Sequence, residues 1–162
     1  FIGKGDNVMI GYYHNDEATK EAIDDNGYYH TGDLGYLDKD GFVIITGRKK
    51  NVIIAKNGKN IFPEEIESML SLSSYVTEVL VSGEEDSRED VIVTATIFPN
   101  MDAVKEKLGS NPEDDAIQML LEEEVNKVNA HLVNYKHVRR VVIRDTEFEK
   151  TTSKKIRRQY KK

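Results

Sequence analysis

Three charged side chains in this chain stand where the local sequence can present them to a ligand. Asp33 follows Gly32, which lets the backbone turn tightly, and a carboxylate there can accept hydrogen bonds from two hydroxyl groups. Arg48 offers a rigid fork of donors that suits phosphate or ribose oxygens, and Lys155 offers a mobile ammonium that can screen anions. Taken singly, each has an ordinary alternative as a turn residue, a surface ion pair or a solvated charge.

The elements that position Arg48 follow from the pattern around it. Residues 42–46 are a β-branched apolar run, and the pattern of a strand resumes at residues 52–54. Arg48, Lys49 and Lys50 therefore lie at a junction between two strands. Before this junction, residues 28–36 predict another strand, and the sequence DKDG at residues 38–41 predicts a hairpin turn.

After the junction, the sequence predicts a turn and a short helix. Asn57 and Gly58 both tolerate positive φ, which indicates a tight turn. Pro63 suits the first position of a short amphipathic helix over residues 63–72. The two glutamates that follow it suit the first turn, where the helix dipole favours anions.

The remaining pattern predicts a small sheet covered by helices. Residues 76–82 and 91–98 are strand candidates that should pair antiparallel, separated by an acidic loop at residues 84–90, and residues 138–143 are a third strand. A helix is predicted over residues 112–132, capped by Asn111 and opened by Pro112. Its apolar face consists of Ile117, Leu120, Leu121, Val125, Val128 and Leu132. The fold class is α+β, with a mixed three-stranded sheet and a β-hairpin.

Composition places few limits on function. The chain has 162 residues and no cysteine, so it has no thiol nucleophile and no cysteine-based metal site. The four histidines show no metal-ligand spacing, and no metal ligand is predicted; they are His14, His30, His131 and His137. No signal peptide or membrane span is visible in the sequence, and we expect a soluble, cytoplasmic protein.

Charge is distributed unevenly. The net charge is −6, yet residues 150–162 contain seven basic residues and no acid. A basic tail on an acidic body suggests an anionic ligand, which could be a nucleotide, a nucleic acid or a membrane surface. The alternative is a solvated, partly frayed terminus.

Four motifs, in the same order, resemble those of the adenylate-forming superfamily, which includes acyl-CoA synthetases and the adenylation domains of peptide synthetases. They are GYY at residues 11–13 with Thr19 downstream, HTGD at 30–33, GRKKNVII at 47–54 with NGKNIFPEEIE at 57–67, and EKTTSKKI at 149–156. The matches run from near the first residue to near the last. The chain is most similar to the C-terminal part of a long-chain fatty acid CoA ligase.

The resemblance implies roles for individual residues. It assigns Asp33 and Arg48 to the ribose of the nucleotide, and Lys155 to catalysis at the α-phosphate of ATP. Lys154 stands where the family usually has glycine, and Glu149 where it often has proline. These departures fix the alignment of the motif only to within about one residue, so Lys154 is the alternative catalytic lysine. Lys50 corresponds to the family's hinge, where fatty-acid ligases often have lysine. Weaker candidates for binding CoA are Asn57, Gly58, Lys59 and Asn60.

The resemblance also implies an organisation and a reaction. Residues 1–49 are expected to close a large, β-rich adenylation domain, and residues 50–162 to form a small mobile C-terminal domain. The enzyme would condense a fatty acid with ATP to an acyl-adenylate and then transfer the acyl group to CoA, with the small domain rotating between the steps. Magnesium is expected to bind mainly to the domain that this chain lacks. We expect the chain to be the later part of a longer protein and to be inactive alone.

Two other functions remain open from the sequence. An adenylation enzyme could deliver its acyl group to a carrier protein instead of CoA, and the sequence hardly separates the two. A nucleic-acid or membrane-binding module would explain the basic tail but not Asp33 or Arg48, so we expect no nucleic-acid partner and at most peripheral membrane association. Because an isolated hairpin is marginal in water, residues 1–46 are expected to be poorly fixed or to pair with a second copy in a dimer.

Overall fold

Residues 1–85 and 91–158 are described by a computed structural model, in which the chain divides into Phe1–Asn51 (unit 1) and Val52–Lys162 (unit 2). Residues 86–90 of the predicted acidic loop and residues 159–162 of the basic tail, including Lys161 and Lys162, lie outside the described residues. The predicted boundary between a large and a small domain at residues 49–51 stays a prediction.

Unit 1 consists of two small antiparallel pairs and one helix. Strand β1 (Ile2–Gly3) pairs with β2 (Tyr29–His30), helix α1 (Asp16–Ala22) lies between them in sequence, and β3 (Asp33–Leu37) pairs with β4 (Val43–Arg48). A 3₁₀ turn, Lys49–Asn51, ends the unit. The predicted hairpin at residues 38–41 is confirmed: the side chain of Asp38 accepts hydrogen bonds from the backbone N–H groups of Asp40 and Phe42.

Two features of unit 1 differ from the sequence prediction. The single strand predicted over residues 28–36 is two strands, because Gly32 adopts φ of 73° and turns the chain between them. Helix α1 was not predicted because it has no apolar periodicity and buries no residue. It begins with an N-cap, since the side chain of Asn15 accepts a hydrogen bond from Ala18 N–H at 3.0 Å.

Unit 2 is a mixed three-stranded sheet covered by helices. Strand β8 pairs antiparallel with β7 and parallel with β9, so the predicted α+β class and mixed sheet are confirmed. Its elements are β5 (Ile53–Ile54), β6 (Asn60–Ile61), α2 (Pro63–Leu70), β7 (Val76–Glu85), β8 (Val91–Pro99), α3 (Met101–Leu108), α4 (Asp114–Asn129), a 3₁₀ turn (Asn134–Lys136) and β9 (Arg140–Ile143).

The helix starts show where sequence signals hold and where they fail. Helix α2 begins at Pro63, as predicted, because proline lacks the N–H that the first turn cannot use. Helix α4 begins two residues later than predicted: Glu113 occupies the N-cap without a side-chain hydrogen bond, so Asn111 is not the cap. Helix α3 was missed, although its N-cap Asn100 accepts a hydrogen bond from Ala103 N–H.

The hydrophobic core lies in unit 2. Helix α2 buries Ile66 and Leu70, and α4 buries the residues predicted for the first part of its apolar face, with Leu121 fully buried. The two helices contact each other, α2 packs against β7, and α4 packs against β9. From the sheet, Val81, Ala95 and Ile97 complete the centre. This core fixes helices α2 and α4 against the sheet of unit 2.

Candidate functional site

Asp33 and Arg48, which the sequence analysis singled out, are brought together in unit 1. They are partners in the register of the antiparallel pair β3–β4, at the open end of that hairpin. Arg48 Nε lies 3.0 Å from Asp33 Oδ1, with the Asp33 side chain 24% exposed and that of Arg48 58% exposed. A carboxylate and a guanidinium held side by side can bind vicinal hydroxyls and an oxygen of the same ligand.

The backbone around Asp33 explains how this pair is held. Gly32 turns the chain with positive φ, and its carbonyl accepts a hydrogen bond from Lys49 N–H at 2.8 Å. The N–H of Asp33 donates to the hydroxyl of Thr31 at 3.0 Å. The turn before β3 and the end of β4 are therefore tied together by backbone as well as side-chain contacts.

Lys50 lies in the 3₁₀ turn at the end of unit 1. Its ammonium forms an ion pair with Glu21 at 2.9 Å, and both side chains are well exposed. An exposed ion pair of this kind contributes little to stability. A backbone change at Lys50 is therefore not opposed by core contacts of its side chain, which the hinge role requires.

The loop predicted as a weak CoA candidate is the turn between β5 and β6. Gly58 has φ of 74°, as the sequence predicted for this turn, and the side chain of Asn57 accepts a hydrogen bond from Lys59 N–H at 3.1 Å. The ammonium of Lys59 lies 4.7 Å from the ring centre of Tyr135, within the range of a cation–π interaction. Lys59 is exposed, and its ammonium lies beside this aromatic ring.

Lys155 lies in a small hairpin of unit 2, closed by an antiparallel bridge between Lys150 and Ile156. Within it, Thr151 N–H donates to the carbonyl of Lys155 at 2.8 Å, and Lys154 N–H donates to the carbonyl of Thr151 at 2.9 Å. Lys155 is exposed. The hairpin therefore presents its ammonium on an ordered turn.

Lys154 adopts φ of 61°, the left-handed conformation that glycine takes without cost. This is the position at which the sequence analysis noted lysine in place of the family's glycine. The backbone therefore supports the register in which Lys154 is the turn residue and Lys155 the catalytic candidate. Because this φ is unfavourable for a residue with a side chain, the turn and not the preference of lysine sets the backbone conformation of Lys154.

The leg of the hairpin before the turn is anchored by acids. Lys150 forms ion pairs with Glu147 and with Glu78 on β7. Its hydrogen bonds to these two carboxylates raise the pKa of Lys150 to about 12, and the bond to Glu147 has the larger effect. Burial alone would raise the pKa of Glu78, but the hydrogen bonds from Lys150 and from Phe148 N–H outweigh it and hold that pKa below its usual range. Sequence reasoning did not single out Glu78, because nothing in its strand distinguishes it from a solvated acid.

Clusters of metal-binding side chains are absent from the part of the chain that the structure describes. In residues 1–85 and 91–158, no group of three or more histidines, aspartates or glutamates has the arrangement of a metal site. In the same ranges, no helix is long and apolar enough to span a bilayer.

Comparison with known protein families gives one match over most of unit 2. The model described as AMP-binding enzyme C-terminal domain matches residues 50–161. This range contains the loop at residues 57–60, the buried core and the hairpin of Lys155. It begins within the 3₁₀ turn that contains Lys50.

Curated relatives include 2-succinylbenzoate–CoA ligases of Bacillus. The protein of Bacillus velezensis is 48% identical over 85 residues, which are 52% of this chain and 17% of that protein. The protein of Bacillus mycoides is 40% identical over 107 residues, which are 66% of this chain and 22% of that protein. The chain thus spans about a fifth of the length of the relatives it matches.

Solved structures extend the similarity to nearly the whole chain. The o-succinylbenzoate CoA synthetase of Bacillus subtilis, in complex with the acyl-adenylate intermediate OSB-AMP, is 30% identical with a TM-score of 0.74, covering 96% of this chain and 28% of that one. The same enzyme in complex with ATP and magnesium ion is 29% identical with a TM-score of 0.70, at the same coverage. A fatty acyl CoA synthetase of Mycobacterium tuberculosis is 29% identical with a TM-score of 0.55, covering 96% and 27%.

Proposed function

The chain belongs to the family of AMP-binding enzyme C-terminal domains, and we propose that it is the C-terminal part of an AMP-forming acid–thiol ligase. In this proposal the enzyme joins a carboxylic acid to ATP with release of pyrophosphate, and then passes the acyl group from the adenylate to the thiol of CoA with release of AMP. The observation that supports it most directly is the hairpin at residues 150–156, where Lys154 occupies the left-handed turn and Lys155 is exposed.

Each site residue has a role in this proposal. Asp33 accepts the ribose hydroxyls of the nucleotide, and Arg48 both orients that carboxylate and donates to the ribose. The ammonium of Lys155 lies between the attacking carboxylate and the α-phosphate, and lowers the barrier by screening two anions that must meet. Lys50 is the hinge about which residues 50–162 rotate between adenylation and thioester formation, and residues 57–60 border the CoA channel.

The identity of the acid is a separate part of the proposal. The sequence analysis expected a long-chain fatty acid, partly from Lys50, but the curated relatives described above are 2-succinylbenzoate–CoA ligases. We therefore propose 2-succinylbenzoate, or a similar aromatic carboxylate, ahead of a fatty acid. Assaying the full-length enzyme with 2-succinylbenzoate and with palmitate, each with ATP and CoA, decides between them: faster thioester formation from palmitate would restore the original expectation.

The role of Lys155 is tested by separating the two half-reactions in the full-length enzyme. Lys155→Ala should slow pyrophosphate exchange by on the order of a hundredfold or more, as expected for the loss of one preorganised charge at a developing anion. It should largely spare thioester formation from preformed acyl-adenylate, because that step does not bring two anions together at the α-phosphate.

Lys154→Gly is the matched control for this experiment. It removes the neighbouring ammonium and relieves the left-handed strain, so adenylation should be retained. Loss of adenylation in Lys154→Gly but not in Lys155→Ala would transfer the catalytic role to Lys154. An equal loss of both half-reactions in Lys155→Ala, or no loss in either, would remove Lys155 from catalysis.

The two alternative functions differ in their support. Loading of a carrier protein keeps every role above and differs only in the acceptor, so an assay with CoA against a holo carrier protein separates it. The nucleic-acid module is less favoured because two of the basic residues on which it depends, Lys150 and Arg158, are engaged by acids of the same unit. A salt-sensitive shift of DNA in a gel would revive it.

A further inference from the structure

The leg of the Lys155 hairpin that follows the turn is held by a nearly buried ion pair. Arg158, three residues after Lys155, donates through Nη2 to both carboxylate oxygens of Glu67, each at 2.6 Å. Its Nη1 donates to the carbonyl of Val81 at 2.9 Å. Arg158 thus joins the hairpin to helix α2 and strand β7 at once.

Glu67 is engaged from two sides. Its Oε1 also accepts a hydrogen bond from Val81 N–H at 2.6 Å, so the carboxylate bridges the backbone of β7 and the guanidinium of Arg158. The side chains are only 17% and 18% exposed. Burial raises the pKa of Glu67, even though Val81 N–H and Arg158 act in the opposite direction.

Such a pair is poorly explained by stability alone. Removing two charges from water costs about as much as their attraction returns, so a buried ion pair is often no better than apolar packing. The guanidinium of Arg158 does fix geometry, because its plane is rigid and its two terminal nitrogens are held by different elements, Nη2 by the Glu67 carboxylate on α2 and Nη1 by the Val81 carbonyl on β7. What this geometry fixes is the second leg of the hairpin, while Lys150 and Glu78 hold the first.

The hairpin is short enough for its anchors to set the turn. Between the two anchored residues, Thr151 and Lys155 are joined across the hairpin, and Arg157 N–H donates to the carbonyl of Glu149 at 2.7 Å. These contacts leave the backbone of the turn little freedom once both legs are fixed. The direction from which the Lys155 ammonium reaches a substrate therefore depends on where the legs are held.

We propose that Glu67 is a positioning residue for adenylation, acting through Arg158 to hold the Lys155 turn in its productive orientation. The inference rests on the proposed function, since it assigns a purpose to the anchoring of a catalytic lysine. Glu67 itself contacts no substrate in this proposal. Glu67 instead affects how often the Lys155 ammonium lies between the substrate carboxylate and the α-phosphate. A misplacement of about 1 Å at such a site costs up to about a hundredfold in rate.

The test uses Glu67→Gln in the full-length enzyme, with Glu65→Gln as the matched control. Glu65 lies on the same helix and pairs at 2.6 Å with Lys136, which is not a residue of the hairpin. Glu67→Gln should lower kcat for pyrophosphate exchange by about tenfold with little change in the KM for ATP, and should spare thioester formation from preformed adenylate. Glu65→Gln should leave adenylation unchanged.

A second measurement follows the anchor without catalysis. In the 162-residue chain, amide hydrogen exchange at Thr151, Lys154 and Arg157, whose N–H groups close the hairpin, should be faster in Glu67→Gln than in Glu65→Gln. Arg158→Lys keeps the charge but loses the fork, and should give an intermediate effect on both exchange and adenylation. It also serves if Glu67→Gln does not fold.

The outcomes separate this inference from the proposed function. Unchanged adenylation in both Glu67→Gln and Arg158→Lys, or an equal loss of the two half-reactions, would overturn the positioning role while leaving Lys155 catalytic. If Lys155→Ala itself retains adenylation, the catalytic role that the proposed function gives to Lys155 fails and the positioning of that lysine fails with it, even where exchange shows that the anchor is real. Selective loss of adenylation together with faster exchange supports the proposal.

Discussion

Strands β4 and β8 have closely similar sequences and opposite environments. Strand β4 begins with the residues VIIT, and β8 begins with VIVT. In β4 the consecutive residues Ile44 and Ile45, which point to opposite faces, are both exposed, Ile45 to 61%. In β8 the consecutive residues Thr94 and Ala95 are both fully buried.

The difference lies in what covers each strand. Strand β8 is paired on both edges, and helices α2 and α4 pack against the sheet to which it belongs. Strand β4 has one partner, and no apolar side chain of unit 1 reaches full burial within the described residues. An apolar run therefore predicts a strand, but not whether the strand has a core. We propose that in the full-length enzyme the large adenylation domain covers β3 and β4.

Hydrogen exchange of the isolated chain should show the largest contrast between the two regions. Amides of residues 34–46 should be less protected than those of residues 76–85 and 91–98 by on the order of a thousandfold or more, because opening an uncovered hairpin costs little while opening the sheet requires unfolding of the core. The measurement needs a sample shown to be monomeric. Equal protection in the two regions would mean that unit 1 is an integral part of the fold of unit 2.

Truncating one isoleucine in each region should give a smaller contrast, in the free energy of unfolding, with the larger loss in unit 2. Ile66→Ala removes a fully buried side chain of α2 and should lower the free energy of unfolding of unit 2 by about 2–5 kcal/mol. Ile45→Ala removes an exposed one and should change it by less than about 0.5 kcal/mol. Urea unfolding followed by circular dichroism measures both. A loss above about 1 kcal/mol for Ile45→Ala would show that β4 is covered in the isolated chain.

The elements that the sequence predicted well are those with strong local chemistry or periodicity. The turn at Gly58, the helix start at Pro63 and the paired strands β7 and β8 were all predicted within a few residues. In each, a backbone constraint or an alternating apolar pattern acts locally and agrees with the tertiary structure. The site residues Asp33 and Arg48 were likewise chosen from sequence, and the register of their hairpin brings them together.

The elements that were missed depend on contacts that a local pattern does not report. Helix α1 has a clear N-cap at Asn15 but no apolar face, so periodicity gave no signal. Helix α3 begins after the N-cap Asn100 and ends at Gly109. Both are sequence signals for the ends of a helix, but the helix was not predicted from them. The pairing of Glu67 with Arg158 joins residues 91 apart in sequence, and no local rule selects one acid among so many.

The smallest contrast comes from the same substitution in the two regions. Thr94 is fully buried on β8, and within the described residues its hydroxyl has no hydrogen-bond partner. Val has nearly the same shape and needs no partner, so Thr94→Val should raise the free energy of unfolding of unit 2 by about 1 kcal/mol. Thr46 on β4 donates its hydroxyl to the carbonyl of Leu34 at 3.2 Å in a partly exposed site.

Thr46→Val should therefore leave the unfolding of unit 2 unchanged, since the hydrogen bond that it removes lies wholly in unit 1. Urea unfolding of the two variants, followed with the same spectroscopic signal, measures both effects. Because both variants replace threonine with valine, a difference between them reports the site and not the type of substitution. A destabilising Thr94→Val would mean that the hydroxyl has a partner after all, and a buried water is the group that fits a polar atom of this burial. The hydroxyl of Thr94 in unit 2 would then be hydrogen-bonded, as the hydroxyl of Thr46 in unit 1 is. The two strands would in that case differ in the exposure of their side chains and not in whether their polar groups have partners.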